Sequence, residues 1–227
     1  MTTAHREIAL DIAGARLTAR ADRALVWRDM RTVFIADLHL GKAAAFRASG
    51  IAVPERGTSA DLDRLATIVR EERATRLVIL GDFFHARAGR TPAIADAAHA
   101  WRSAIDDVEI VLIRGNHDRS AGDPPASLRF ELADNGMTLG PFSLRHEPSS
   151  GGPGYTLAGH LHPAVRLEDP VTGQGLKAAC YWFGASCGVV PAFGGFTGTA
   201  IIRPARGDRV IALLGGAAID CSARLVP

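Results

Sequence analysis

Hydrophobic positions along this chain follow two rhythms, and the change falls near residue 135. In the first half, compact apolar runs alternate with helical stripes. Ile8-Ala-Leu-Asp-Ile12 and Ala24-Leu-Val-Trp27, broken by Ala13-Gly14 and Ala21-Asp22, predict two or three short strands joined by turns over residues 6–28. Arg31 to Ala36 is a compact apolar run that predicts a buried strand delivering Asp37 at its C-terminal end. From Ser59 to Arg73, Leu62, Leu65, Ala66, Ile68 and Val69 fall on one helical stripe, with Thr58 or Ser59 as its N-cap. Arg76 to Leu80 is the next buried strand and ends in Gly81-Asp82. Ala93 to Ile105 predicts a second helix opened by Pro92 in its first turn, and Glu109 to Ile113 a third strand ending in Arg114-Gly-Asn-His-Asp118. Beyond residue 135 only short strands with turns are predicted: Met137–Leu139, Phe142–Arg145, Tyr155–Ala158, Ala164–Leu167, Leu176–Phe183 and Ala200–Ile202. Pro148 to Gly154 reads as a surface loop.

Strand, helix, strand, helix, strand argues for a βαβ-type sheet. Ligands of such sheets bind outside the carboxyl ends of the strands, where Asp37, Asp82 and the Gly115–Asp118 piece all lie. A second, mostly antiparallel layer follows. There is no repeat and no linker, so the expected architecture is a single α/β domain over residues 1–227, a sandwich of mixed β-sheets flanked by helices.

Composition narrows the classes. The 227 residues suffice for one sizeable core, and 47% apolar with 22% charged residues is ordinary for a soluble protein. No run approaches the ~20 apolar residues of a membrane span, and Met-Thr-Thr-Ala-His-Arg-Glu lacks a signal pattern. No membrane association and a cytoplasmic location are expected. Net charge is only +2, so nucleic-acid binding would need a local patch. Lys42 and Lys177 are the only lysines. Arginine suits phosphate contacts, although a GC-rich genome gives the same bias. Cys180, Cys187 and Cys221 form no CxxC pair, which leaves them as core or free thiols.

The chemistry sits in four pieces: Asp37-Leu-His39, Gly81-Asp82, Gly115-Asn-His-Asp118 and Gly159-His-Leu-His162, with an isolated His146. One such piece would be an ordinary polar loop. Four in series supply ligands for two ions. Asp37 and His39, two apart at a strand end, would point the same way. Asp82 can bridge, and Asn116 adds a neutral oxygen. His146 and His160 can complete one ion and His162 the other. Two ions about 3.5–4 Å apart clamp both oxygens of an in-line phosphoryl displacement. Mixed imidazole and oxygen donors suit Mn, Fe or Zn. His5 and His99 belong to no motif and read as surface residues.

This ordered set resembles the calcineurin-like metallophosphoesterases. The resemblance implies that Asp37, His39, Asp82 and His162 hold one ion, and Asp82, Asn116, His146 and His160 the other. It implies that His117 contacts the scissile phosphate and protonates the leaving oxygen, with Asp118 orienting His117. Phe34-Ile-Ala-Asp-Leu-His-Leu40 also resembles the lipid-A precursor pyrophosphatases, but those carry Arg where this chain has His117. Gly81-Asp-Phe-Phe-His85 is similar to SbcD-type repair nucleases and makes His85 a second imidazole near the phosphate.

Further stretches resemble the bacterial DNA-ligase-associated metallophosphoesterases. They are Asp37-Leu-His-Leu-Gly-Lys42, Phe46-Arg-Ala-Ser-Gly-Ile51 with Val53-Pro54, Tyr181-Trp-Phe-Gly184, Pro191-Ala-Phe-Gly194 and Phe196-Thr-Gly198. That resemblance implies a manganese-dependent endonuclease acting on single-stranded DNA or single-stranded parts of duplexes. It also implies a repair role associated with a DNA ligase, a helicase and an exonuclease. Lys42, Arg47, Arg87, Arg90, Arg114 and Arg119 lie in or beside the motif loops as candidate phosphate contacts. Tyr181, Trp182, Phe183, Phe193 and Phe196 would stack unpaired bases or fill core. The alternatives are a phosphomonoesterase or cyclic-nucleotide phosphodiesterase of the same fold, and a metal-dependent scaffold, which would not need so full a ligand set.

Overall fold

The apolar runs that end in the motifs are buried on both faces, and their alternation sets the layers. The computed structural model describes residues 5–54, 57–134, 136–150, 152–168 and 173–224. In β4 (Thr32–Ile35), β5 (Arg76–Ile79) and β6 (Glu109–Ile113), every second residue enters a different core. Val33, Ile35, Leu77, Ile79, Ile110 and Leu112 face one core, while Phe34, Val78 and Val111 face the other. The helices α2 (Thr58–Glu71) and α3 (Pro92–Ala104) close the first core with Leu62, Leu65, Ile68, Ile94 and Trp101. A second sheet closes the other with Phe142, Leu157, Tyr181 and Ile211. Each fully buried side chain of this size contributes roughly 1.5–3 kcal/mol, so both interfaces matter to stability.

The first sheet runs in chain order from β1 (Glu7–Ile12), β2 (Ala15–Arg20) and β3 (Leu25–Trp27) through β4, β5 and β6 to β7 (Phe130–Ala133). Its first four strands pair antiparallel as a meander, and β4 to β7 pair parallel. The second sheet holds β8 (Met137–Leu139), β9 (Phe142–Leu144), β10 (Tyr155–Ala158), β11 (Pro163–Glu168), β12 (Gly175–Phe183), β13 (Cys187–Val189) and β14 (Ala200–Ile201). A hairpin of β15 (Arg209–Leu214) and β16 (Ala217–Asp220) pairs with β12. The expected mostly antiparallel layer is found, with five antiparallel and three parallel pairings among the described residues. β10 pairs parallel with both β9 and β13, which sets the loop bearing His146 beside the loop bearing His160.

Local details differ from the sequence reading. The α2 helix begins at Thr58 with Gly57 as N-cap and no side-chain cap bond, so Thr58 and Ser59 lie inside it. By contrast, the Thr91 side chain caps α3 by accepting the Ile94 N–H, and Pro92 follows it in the first turn. Two short helices were not expected: α1 (Lys42–Ala48), and α4 (Asn116–Ala121), which carries Asn116 and His117. At seven and six residues they are too short for a helical stripe to show. Cys180 and Cys221 are buried thiols, and His5 and His99 are exposed. Among the described residues no helix is long and apolar enough to cross a membrane.

Candidate metal centre

The expected ligands gather where the C-terminal ends of β4, β5, β6, β9 and β10 meet, and their backbone is strained. Asp37, His39, Asp82, His160 and His162 have φ between +46° and +68°, and they are five of the ten non-glycine residues at positive φ among the described residues. L-residues pay about 1–2 kcal/mol each for that conformation. Asp37 and His39 thus share a site because both turn left-handed past the end of β4, and not through strand alternation. Offsetting bonds hold these turns: Asp37 N–H to the Gly81 carbonyl (3.0 Å), His39 N–H to the Asp82 carbonyl (2.9 Å) and Gly159 N–H to the His146 carbonyl (3.0 Å). The buried Asp118 carboxylate accepts the N–H groups of Asp82 (2.7 Å), Phe83 (2.9 Å), Phe84 (3.3 Å) and Gly115 (2.9 Å).

Two motif glycines are explained by close approach. A Cβ on Gly81 would lie 2.0 Å from His146 Nδ1, and one on Gly115 would lie 2.1 Å from Asp82 Oδ1. Each is glycine because a candidate ligand from elsewhere in the chain passes against its Cα.

The donor atoms converge on two points. His39 Nε2 and His162 Nε2 lie 3.3 Å apart, with Asp37 Oδ1 3.6 Å from His162 Nε2 and Asp82 Oδ2 3.8 Å from His39 Nε2. At the second point, His146 Nε2 is 3.0 Å from His160 Nδ1, 3.0 Å from Asn116 Oδ1 and 3.5 Å from Asp82 Oδ1. Asp82 reaches both points, as a bridging carboxylate must. Carbonyls fix the rings: His146 Nδ1–H donates to Leu80 (2.9 Å) and His162 Nδ1–H to Gly198 (3.0 Å), which turns each Nε2 lone pair inward.

This donor set fits divalent ions. Asp37 Oδ1 is buried without a hydrogen-bond partner among the described residues, which a cation would satisfy. Burial, followed by repulsion from His117 and His162, pushes His39 down to about 2, so its ring is neutral and available as a ligand. Burial, helped by the neighbouring Asp37 and opposed by His146, raises the Asp82 carboxyl. Burial works to lower His162, but its contact with Asp37 outweighs this and raises it.

His117 and His85 stand over the first point. Their rings stack at 4.7 Å and 24°, and His39 meets His117 edge-on at 4.8 Å. His85 is lowered to about 4 by burial, then by His117 and Lys42. The His117 ring is oriented by the His85 carbonyl, which takes its Nδ1–H at 2.7 Å. This corrects the expected role of Asp118. Both of its oxygens are used by the backbone N–H groups of Asp82, Phe83, Phe84 and Gly115, so it holds the turn that carries Asp82 and not the His117 ring.

The candidate phosphate contacts divide. Arg90 donates to the Ala121 (3.1 Å) and Gly122 (2.9 Å) carbonyls and stacks on Phe84. Arg47 donates to the Val53 carbonyl, and Arg114 pairs with Asp123 and Asp134. These three brace the chain, because protein acceptors already occupy them. Lys42, Arg87 and Arg119 remain: Lys42 is half-buried in a small recess with His39 and Phe196, Arg87 is exposed, and Arg119 makes one bond to the Asp134 carbonyl. Of the aromatics, Tyr181, Phe183 and Phe193 are core, and Trp182 bonds Asp208. Phe196 is 41% exposed and lies 5.8 Å from Phe46, which lies 5.9 Å from His85. Sequence reasoning passed over Phe46 and Arg145 as site residues. Adjacency to His146 was the available signal for Arg145.

The pattern of the family described as calcineurin-like phosphoesterase matches residues 30–169. Among solved structures, the chain is similar to Pseudomonas putida nuclease MPE, with a TM-score of 0.81 and 39% identity, covering 94% of this chain and 99% of that one. No curated protein sequence matches it. The matched region spans well over half of the chain, including every candidate ligand, and the chain therefore belongs to the calcineurin-like phosphoesterase family of hydrolases.

Proposed function

We propose that this protein is a manganese-dependent DNA phosphodiesterase that cuts single-stranded DNA or single-stranded parts of duplexes, in a repair setting alongside a DNA ligase, a helicase and an exonuclease. The observation that carries the reading is the end-to-end likeness to a nuclease. The ring series His117, His85, Phe46, Phe196, which leads from the donor atoms to the surface, supports it.

Asp37, His39, Asp82 and His162 would hold one ion, and Asp82, Asn116, His146 and His160 the other. When bound, such a pair supplies Lewis acidity and stabilises the attacking and leaving oxygens of an in-line displacement. The chain's own groups do the rest. His117, with Nδ1 tied to the His85 carbonyl, keeps Nε2 for the leaving oxygen. A deoxyribose alkoxide leaves poorly and needs that proton. His85 stacks behind His117 and holds its tilt. Phe46 and Phe196 offer faces to an unpaired base, which a duplex would keep stacked.

The test is the Mn²⁺-loaded protein against circular single-stranded DNA, the same sequence as duplex, an aryl phosphodiester and an aryl phosphomonoester. Cleavage of the circle, with the duplex resistant and the aryl diester hydrolysed, is expected. Turnover of the monoester faster than of DNA overturns the reading in favour of a general phosphatase.

A further inference from the structure

On the His146 side of the centre lies an open cleft of about 270 Å³, lined by Arg114, Arg119, Asp134, Arg145, His146 and Glu147 among others. Its guanidiniums are not equivalent. Arg114 is saturated by Asp123 and Asp134, each at 2.7 Å, and these contacts also neutralise Asp134. Arg119, on the short helix that carries His117, makes one bond to a carbonyl and no carboxylate pair among the described residues. Arg145 differs again. Its Nε is buried and has no hydrogen-bond partner among the described residues. Its position is nevertheless fixed. The backbone N–H bonds the Leu157 carbonyl at 3.0 Å, and the stem packs so near Gly136 that a Cβ there would lie 3.2 Å from Arg145 Cγ. A buried guanidinium N–H without an acceptor is costly, and the side chain that carries it is only partly buried and lines the cleft, so an acceptor entering the cleft would meet an arginine that the chain leaves short of partners.

We propose that this cleft is a subsite for the phosphate adjacent to the scissile one, with Arg145 as its anchor and Arg119 as a second contact. The proposal rests on the phosphodiester reading above and deepens it. A guanidinium presents a planar donor fork that matches phosphate oxygens. The cleft contains His146, a candidate ligand of one ion, whereas the recess of Lys42 and Phe196 contains His39, a candidate ligand of the other. A strand crossing both donor clusters would therefore meet rings on one flank and guanidiniums on the other. Only a substrate with a second phosphate can use this cleft, which makes it a device for preferring a chain over a small ester.

The experiment compares the thymidine dinucleotides TpT, pTpT and TpTp as substrates of the Mn²⁺-loaded protein. One of the two terminal phosphates should raise kcat/KM over TpT by about tenfold, the scale of one charge-assisted contact. Arg145→Ala should erase that ratio, Arg145→Lys retain part of it, and the surface variant Arg119→Ala reduce it. Being a ratio within each variant, it is insensitive to any disturbance of the neighbouring His146. With long single-stranded DNA, Arg145→Ala should also lower the slope of log affinity against log salt by about 0.7, the value for one contact on a single strand. A gain that survives in Arg145→Ala overturns the subsite. So does the lack of any gain in the wild type while an aryl diester is hydrolysed, an outcome that leaves the phosphodiester reading standing. Hydrolysis of no diester at all removes both.

Discussion

The floor of the site and its walls are built on opposite principles. In the floor, Asp37, His39, Asp82, His160 and His162 sit in strained backbone, tied down by carbonyls and by the four bonds to Asp118. Neighbouring donor atoms lie 3.0–3.8 Å apart, and Gly81 and Gly115 leave no room for even a methyl group. The walls are different. Phe46 and Phe196 on one side, Arg119 and Arg145 on the other, are partly exposed and spend few bonds on the protein. A floor of mutually repelling donors needs everything around it to be rigid, and a wall that meets a flexible strand does not. Reaction chemistry and substrate preference should therefore respond to different mutations.

The largest expected effect comes from breaking the floor. Asp82→Ala removes the carboxylate shared by both donor clusters and should lower hydrolysis of DNA and of an aryl diester alike by more than about 100-fold, beyond the 10–100-fold usual for groups that only orient ligands. His117→Ala leaves the donor set whole. Cleavage of DNA should fall by about 10²–10⁴-fold, with a much smaller loss on the aryl diester, whose leaving group needs no proton. Steady-state rates on both substrates decide this. Equal losses for His117→Ala would make that ring part of the floor and not an acid above it.

The aromatic wall should give a smaller, selective effect. Phe196→Ala should weaken binding of a single-stranded oligonucleotide by about 1–3 kcal/mol, the range for one stacked base. Fluorescence anisotropy with intact and abasic strands separates causes: the difference between wild type and variant should disappear on the abasic strand. If it persists there, Phe196 only shapes the recess around Lys42.

The same contrast explains what could be read before the structure was seen. Metal ligation restricts residue type so tightly that all seven candidate ligands were legible from order and spacing alone, and the apolar runs before them were legible as strands. Wall residues are ordinary amino acids whose role depends on what else reaches them. Apart from its place beside His146, Arg145 reads in sequence like Arg90. Arg90 is occupied by the carbonyls of Ala121 and Gly122, whereas Arg145 lines the cleft with His146 and its Nε has no partner among the described residues. Asp118 shows the same limit, since its place in the motif was evident but its four backbone partners come from a strand end 35 residues away as well as from its own helix. The parallel pairing of β9, β10 and β13 was hidden because three- and four-residue strands carry no signal of direction.

The smallest expected effect tests whether the floor is insulated from the scaffold. At the far end of α2, before β5 begins, Glu72 accepts from Arg20 and Arg28, which also bind Asp22, Glu71 and Glu7. Burial works to raise Glu72, but the hydrogen bonds from Arg28 and Arg20 outweigh it and hold the carboxyl below its ordinary value of 4.5. A carboxyl lowered by folding stabilises the native state above its unfolded value, and that contribution is lost as pH falls through the folded one. Glu72→Gln should therefore cost up to about 1 kcal/mol at neutral pH, the scale of a surface ion pair. Urea unfolding from pH 7 downward should show a constant gap between wild type and variant that closes below pH 4.5. A gap that persists there would mean that the loss comes from packing and not from charge. The rate on an aryl diester should not move, because the ligand turns are pinned by their own carbonyls and by Asp118. A change in that rate would show that strain in the floor is balanced partly by this distant network, and the division between floor and surroundings would then have to be redrawn.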